Sequence, residues 1–345
     1  MTKALFVHAA RDLRLGDVAP DTPGPGQVAI AMQRGGICGS DLHYFNHGGF
    51  GAIRLREPMI LGHEVSGVVS GLGQGVEGLA LGDLVAVSPS RPCRSCTECL
   101  RGLPNHCLNM RFYGSAMPFP HIQGAFREDL IADASQCSVA NGLTAAQAAT
   151  AEPLSVALHA VSRAGDMLGK RVLVTGCGPI GILVILAARR AGAAEIIATD
   201  IAPNVLDIAR IAGADVVLDT AADPDGLAPY STGKGTLDVL FECSGAQVAL
   251  VGGIATLRPR GRVIQLGLSG DMSLPMMQIT ARELAIKGSF RFHQAFPLAV
   301  RMMQQGLIDV APLLTHSFPL ADFAEAFATA NDRSRAMKVQ LVFGA

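Results

Sequence analysis

Residues 172–181 read VLVTGCGPIG, and no other stretch of the chain restricts its fold so sharply. Gly176, Gly178 and Gly181 have the G-x-G-x-x-G spacing, directly after an apolar strand-like run and directly before an apolar helical one. Glycines so placed allow a tight turn and let backbone amides approach a pyrophosphate at the positive end of the helix. A second apolar run ends at Asp200, close to the ~20 residues further on at which a carboxylate receives the adenosine ribose hydroxyls. Asp200 repels a 2'-phosphate and no Arg follows it closely, so NAD is expected ahead of NADP, with dual use left open. The plainer alternative is a glycine-rich turn in which Asp200 only caps a helix. The strand before the motif and the helix after it favour the dinucleotide.

The surrounding pattern agrees. From about residue 145 helices alternate with short solid apolar runs, expected as strands over 171–175, 195–199, 216–218, 239–242 and 262–266. That alternation implies a parallel sheet covered on both faces. The first 145 residues instead carry short alternating runs broken by Gly and Pro, the mark of irregular β-structure. At 345 residues, 49% of them hydrophobic, the chain exceeds one ordinary core and fills two. The last sixty residues contain an amphipathic helix near 296–305 and a closing strand over 338–343, and their pattern assigns them to neither half.

A net charge of -1 without a basic block leaves no footprint for nucleic acid or an anionic membrane, so a small molecule is the expected partner. The most apolar stretch, 180–188, is far short of the roughly 20 residues a membrane-spanning helix needs. Residues 1–15 lack an export leader. Of eight cysteines, Cys93, Cys96, Cys99 and Cys107 fall within fifteen residues, which points to metal ligation rather than disulfides and to a reducing, cytoplasmic setting.

Those four have the spacing Cys-x2-Cys-x2-Cys-x7-Cys, which brings four thiolates to one tetrahedral zinc and leaves no open position; the site is expected to be structural. A second group is dispersed: Cys38 in GICGSDLH, His63 and Glu64 in GHE, and Glu152 in AEPL. One Cys, one His and one carboxylate leave a fourth place for water or substrate, as a catalytic zinc requires. Composition alone does not separate this reading from core packing and surface charge.

In order, these segments resemble the zinc-containing medium-chain dehydrogenase/reductase family over essentially the whole chain. The resemblance implies a GroES-like catalytic domain from residues 1–145 and 286–345 and an inserted Rossmann domain over 146–285. AEPLSVALHA around Glu152 resembles the polyol dehydrogenase branch, and leaves open whether Glu64 or Glu152 meets the metal directly. RGGICGSDLHY, MRFYGSAM and KGSFRF are similar to the L-idonate 5-dehydrogenases within that branch. They imply oxidation of a sugar acid at a secondary hydroxyl, L-idonate to 5-keto-D-gluconate, with sorbitol- or xylitol-like polyols as the alternative. A zinc-binding scaffold without activity is the third reading, disfavoured because Cys38, His63 and the glycine motif are all present. The family also suggests a homotetramer or homodimer.

A proton path is expected from Ser40 to His43, with Asp41 orienting His63 or another ligand. Cofactor contacts are expected at Gly176, Gly178, Pro179, Ile180, Gly181, Asp200, Ser244, Leu266, Gly267, Ser289 and Arg291. Arg111 and Arg291 are candidates for a substrate carboxylate, and Tyr44 and Phe112 for pocket walls. His8, His106, His121, His159, His293 and His316, with Cys137, Cys177 and Cys243, are read as structural.

Overall fold

A computed structural model describes residues 1–268, 270–292 and 294–344; His293 lies outside them. The chain divides into two compact units: Met1–Glu152 with Phe296–Gly306 and Leu314–Ala345, and Pro153–Ala295 with Leu307–Leu313. The expected boundaries at 145/146 and 285/286 compare with divisions at 152/153 and 295/296, and the short piece 307–313 joins the second unit.

The first unit is built on a seven-stranded sheet, in the order Cys137–Val139, Leu84–Val87, Glu64–Leu72, Gln27–Gly36, Lys338–Val342, Leu314–Pro319, with Asp129–Asp133 also on Gln27–Gly36. The long strand Gln27–Gly36 shows why alternation forms here: Val28, Ile30 and Met32 point into the core while the residues between them are more exposed. Its far end pairs Gly36 with Glu64 on one side and with Gln340 on the other. The expected closing strand, which pattern assigns to neither half, thus sits in the first unit's sheet between Gln27–Gly36 and the edge strand Leu314–Pro319. Phe126, Phe327, Leu61 and Leu341 fill the core beneath it.

The second unit is a six-stranded parallel sheet in the order Val216–Asp219, Glu195–Asp200, Arg171–Thr175, Leu237–Glu242, Leu257–Gln265, Ala285–Gly288. This is the doubly wound order 3-2-1-4-5-6. Leu237–Glu242 is buried at every position, as a strand covered on both faces must be. The strand expected from 262 begins earlier, at Leu257, and Ala285–Gly288, where the sequence after residue 285 starts strand-like, is the edge strand. No helix among the described residues is long and apolar enough to cross a membrane.

Candidate functional site

Cys38 stands at the N-cap of the helix Gly39–His47, in extended backbone. Three residues on, the buried Asp41 turns back: Oδ2 accepts from Cys38 N at 2.9 Å and Oδ1 from Gly62 N at 3.1 Å. Its Oδ1 is 3.8 Å from His63 Nδ1, beyond hydrogen-bond range, so Asp41 holds the main chain at Cys38 and next to His63. Burial raises its pKa, against His63 and these two amides. Gly62 is required here: its φ is +93°, and a Cβ would lie 2.1 Å from the Phe126 ring.

This scaffold brings together Cys38, His63 and Glu64, whose ligand atoms all lie within 4.8 Å of one another. His63 and Glu64 are 5% and 2% exposed. Burial alone would lower the His63 pKa, but Asp41, Cys38 and Glu152 outweigh it and hold the imidazole well above its usual range. Glu152, in the first turn of Ala151–Ala164, is also buried and close enough to act electrostatically on His63, yet it is not in the mutually close set.

One member of the cluster had no place in the sequence reading. Lys338 is 3% exposed, and its Nζ donates to Glu64 Oε1 at 2.8 Å, to Oε2 at 2.7 Å and to Ile37 O at 3.3 Å. Burial would push its ammonium down; Glu64 and Cys38 overcome that and the net shift is up. The carboxylate also lies hard against the sheet, where a Cβ on Gly36 would sit 2.2 Å from Glu64 Oε2. A thiol, an imidazole and a carboxylate so gathered, with a cation behind the carboxylate, suit zinc.

The neighbouring expected residues divide. Ser40 and His43 follow Cys38 on the same helix; the exposed His43 ring is 4.8 Å from Phe50 and 5.9 Å from His47. Partial burial, then His47 and Arg333, lower its pKa. Phe112 stands beside the cluster, its ring 5.6 Å from that of His63. Tyr44 is instead a core residue whose hydroxyl accepts from Ala116 N at 3.1 Å. Arg111 is exposed on a two-residue strand opposite Arg91.

Cys93, Cys96, Cys99 and Cys107 form the other cluster, with all four sulfurs within 4.8 Å of one another. Sγ of Cys107 is 3.5 Å from that of Cys93 and 3.9 Å from that of Cys96. Thiolates about 2.3 Å from a tetrahedral zinc lie about 3.8 Å apart, so the set fits that ion. Hydrogen bonds from Ser95, then Asn109, lower the Cys93 thiol to about 5, whereas burial and the sulfurs of Cys96 and Cys107 push Cys99 up to about 12.

In the parallel sheet, Gly176 follows Arg171–Thr175 with φ +85°, and a Cβ there would meet Ser244 N at 2.7 Å. Gly178 caps the helix Pro179–Arg190, leaving Pro179 and Ile180 in its first turn, and a Cβ on Gly181 would strike Gly176 O at 1.9 Å. Asp200 Oδ2 accepts from Cys177 N at 2.7 Å, tying the acidic strand end to the glycine loop. Leu266, Gly267 and Ser289 lie beyond the ends of adjacent strands, Leu266 N and Gly267 N both donating to Glu242 O. Among the described residues the buried Ser289 hydroxyl has no hydrogen-bond partner, as a ligand contact would leave it. Arg291 takes φ +54° with its guanidinium 5.0 Å from the Phe290 ring centre. The glycine loop, Asp200 and Ser289 fit a dinucleotide.

A family model for the alcohol dehydrogenase GroES-like domain matches residues 24–141, and one for zinc-binding dehydrogenases matches residues 179–305. The chain is 41% identical over 316 residues to L-idonate 5-dehydrogenase (NAD(P)(+)) of Escherichia coli strain K12, spanning 91% of each. It is 37% identical over 331 residues to sorbitol dehydrogenase of Homo sapiens, 94% of this chain and 92% of that one. The crystal structure of the E. coli K-12 L-idonate 5-dehydrogenase matches with a TM-score of 0.95 at 39% identity, covering 99% of this chain and 98% of that one.

Proposed function

Because the chain belongs to the zinc-binding alcohol dehydrogenases, NAD(P)-dependent enzymes with a GroES-like domain and a doubly wound domain, we propose that it oxidises a secondary hydroxyl of a sugar acid. The favoured substrate is L-idonate, giving 5-keto-D-gluconate. The observation that carries this reading is 41% identity over 91% of the chain to an enzyme of that name. The cluster of half-buried Cys38 with buried His63 and Glu64 supplies the matching chemistry.

Cys38, His63 and Glu64 hold the catalytic zinc, with Glu152 beside them. When bound, zinc supplies the Lewis acidity that makes a hydroxyl acidic near neutral pH, and NAD accepts the hydride. The residues do the rest. Lys338 fixes the Glu64 carboxylate, and Asp41 fixes the main chain that presents Cys38 and His63. Ser40 takes the substrate proton and His43, neutral below its usual titration point, passes it to solvent. Phe112 walls the site on the His63 side. Arg291 is assigned to the substrate carboxylate or the cofactor ribose, and Arg111 to the carboxylate. The four-cysteine lobe holds a structural zinc, and exposed Leu100 and Leu108 suit it to contacts in a homodimer or homotetramer. A reducing cytoplasm keeps these thiols available.

A neutral polyol is the second reading, favoured by 37% identity to sorbitol dehydrogenase. Initial rates of NADH formation on L-idonate, sorbitol and xylitol at equal concentration decide between them. Preference for L-idonate upholds the sugar-acid reading and makes Arg111 and Arg291 the next substitutions; turnover of the polyols alone overturns it.

A further inference from the structure

Glu242 closes the strand Leu237–Glu242, buried at every position, with a carboxylate that is 0% exposed. Among the described residues no cation pairs with it, and an apolar side chain would end such a strand at far less desolvation cost. Its two oxygens are instead surrounded by donors. Oε1 accepts from Ser244 N at 2.9 Å, from the Ser244 hydroxyl, from Gly245 N at 3.0 Å and from Thr175 Oγ1 at 3.5 Å. Oε2 accepts from Gln265 Nε2 at 2.6 Å and from Gly245 N at 3.1 Å. Gln265 Nε2 also donates to Gly267 O at 2.9 Å.

These donors come from the carboxyl ends of three neighbouring strands, because Thr175, Glu242 and Gln265 are in register. The main chain around the carboxylate is packed without side chains. A Cβ on Gly267 would lie 2.2 Å from Gly245 N and 2.5 Å from Glu242 Oε2, and Gly245 takes φ +71°. The same turn abuts the glycine loop, where a Cβ on Gly176 would meet Ser244 N. In a doubly wound sheet the ligand lies outside the carboxyl ends of the strands, one mononucleotide on each half. Asp200, two strands away across Arg171–Thr175, belongs to the adenosine half. Glu242 and Gln265 belong to the other.

We infer that Glu242 is a positioning residue for the nicotinamide half of the cofactor, holding the Ser244–Gly245 turn and Gly267 in the shape that receives it. The inference rests on NAD(H) being the cofactor. It acts through main chain, so the adenosine half is unaffected by its loss.

The test compares wild type with Glu242→Gln, which puts an amide donor against the amides of Ser244 and Gly245. The chain has no Trp, so binding is read from the fluorescence of NADH itself, with AMP measured separately by calorimetry. NADH binding should weaken on the order of 10-fold, with the KM for NAD rising in parallel and kcat at saturating NAD within about 3-fold. AMP binding and zinc content should stay as in wild type. Glu242→Asp, which keeps the acceptors, should restore part of the NADH affinity. Should Glu242→Gln fail to fold, Gln265→Met removes one donor and should weaken NADH by about 3-fold with AMP binding intact. Equal weakening of NADH and AMP, unchanged NADH binding, or no rescue by Asp would overturn the assignment. Failure of the wild type to bind NADH would instead remove the cofactor on which it rests.

Discussion

The two sulfur-bearing clusters solve one problem by opposite routes. The lobe draws four like side chains from residues 93–107, a segment whose ends are joined by the pairing of Ser90–Arg91 with Arg111–Phe112. The other cluster joins three unlike ligands. Cys38 comes from a helix cap, and His63 and Glu64 from the start of a strand that pairs Glu64 with Gly36; Lys338, which is no ligand but holds the Glu64 carboxylate, comes from the strand Lys338–Val342. Four thiolates close a coordination sphere and can only hold; a mixed set with a fixed carboxylate leaves room to act. Local spacing is enough for the first task, whereas the second needs the whole sheet.

Replacing Cys38 with Ala should separate the clusters most clearly. Turnover should fall by at least ~10³-fold and metal analysis should show one zinc lost while the lobe retains its own. Retained activity would remove the mixed cluster from catalysis. Next in size, Lys338→Met leaves the Glu64 carboxylate buried without its cation and should cost about 3–5 kcal/mol in urea unfolding with chelator present. Adding Glu64→Gln should recover most of that loss; wild-type stability in the single variant would mean that the ion pair does not hold the site.

Cys99→Ser should do the converse of Cys38→Ala, lowering the melting temperature by about 5–10 °C while kcat of the folded protein stays within a few-fold. Catalytic loss as large as that of the Cys38 variant would erase the distinction between the clusters. The smallest effect is expected at His43. Partial burial, then His47 and Arg333, lower its pKa, so the neutral ring persists to lower pH than in a free imidazole. His43→Gln should therefore slow turnover by about 10-fold at neutral pH and remove a limb of the pH profile lying below 6.5. An unchanged profile would take His43 out of the proton path.

The same contrast governs what could be read in the sequence. The cysteine lobe and the glycine loop are written in contiguous residues, and their strands, helix and caps follow from period and turn chemistry. That Glu64, and not Glu152, lies in the mutually close set with Cys38 and His63 follows from long-range pairing such as Glu64 with Gly36, a register that no spacing encodes. Lys338 is 274 residues from Glu64; its one local signal is a Lys opening an otherwise core-like strand, KVQLV. Glu242 has a similar signal, an acidic end to a solid apolar run. Tyr44 looked like a pocket wall because it follows the Cys38 motif, but helical rotation turns it into the core.

The place of Lys338–Val342 between Gln27–Gly36 and Leu314–Pro319 also sets an order of events during synthesis. Domains tend to fold as units as they leave the ribosome. Most of the parallel sheet's unit, Pro153–Ala295, is contiguous and emerges whole, yet the earlier-made strands Gln27–Gly36 and Glu64–Leu72 must wait for a neighbour translated after it. Cys38, His63 and Glu64 are among the first ligands to leave the ribosome and among the last groups to reach their final places.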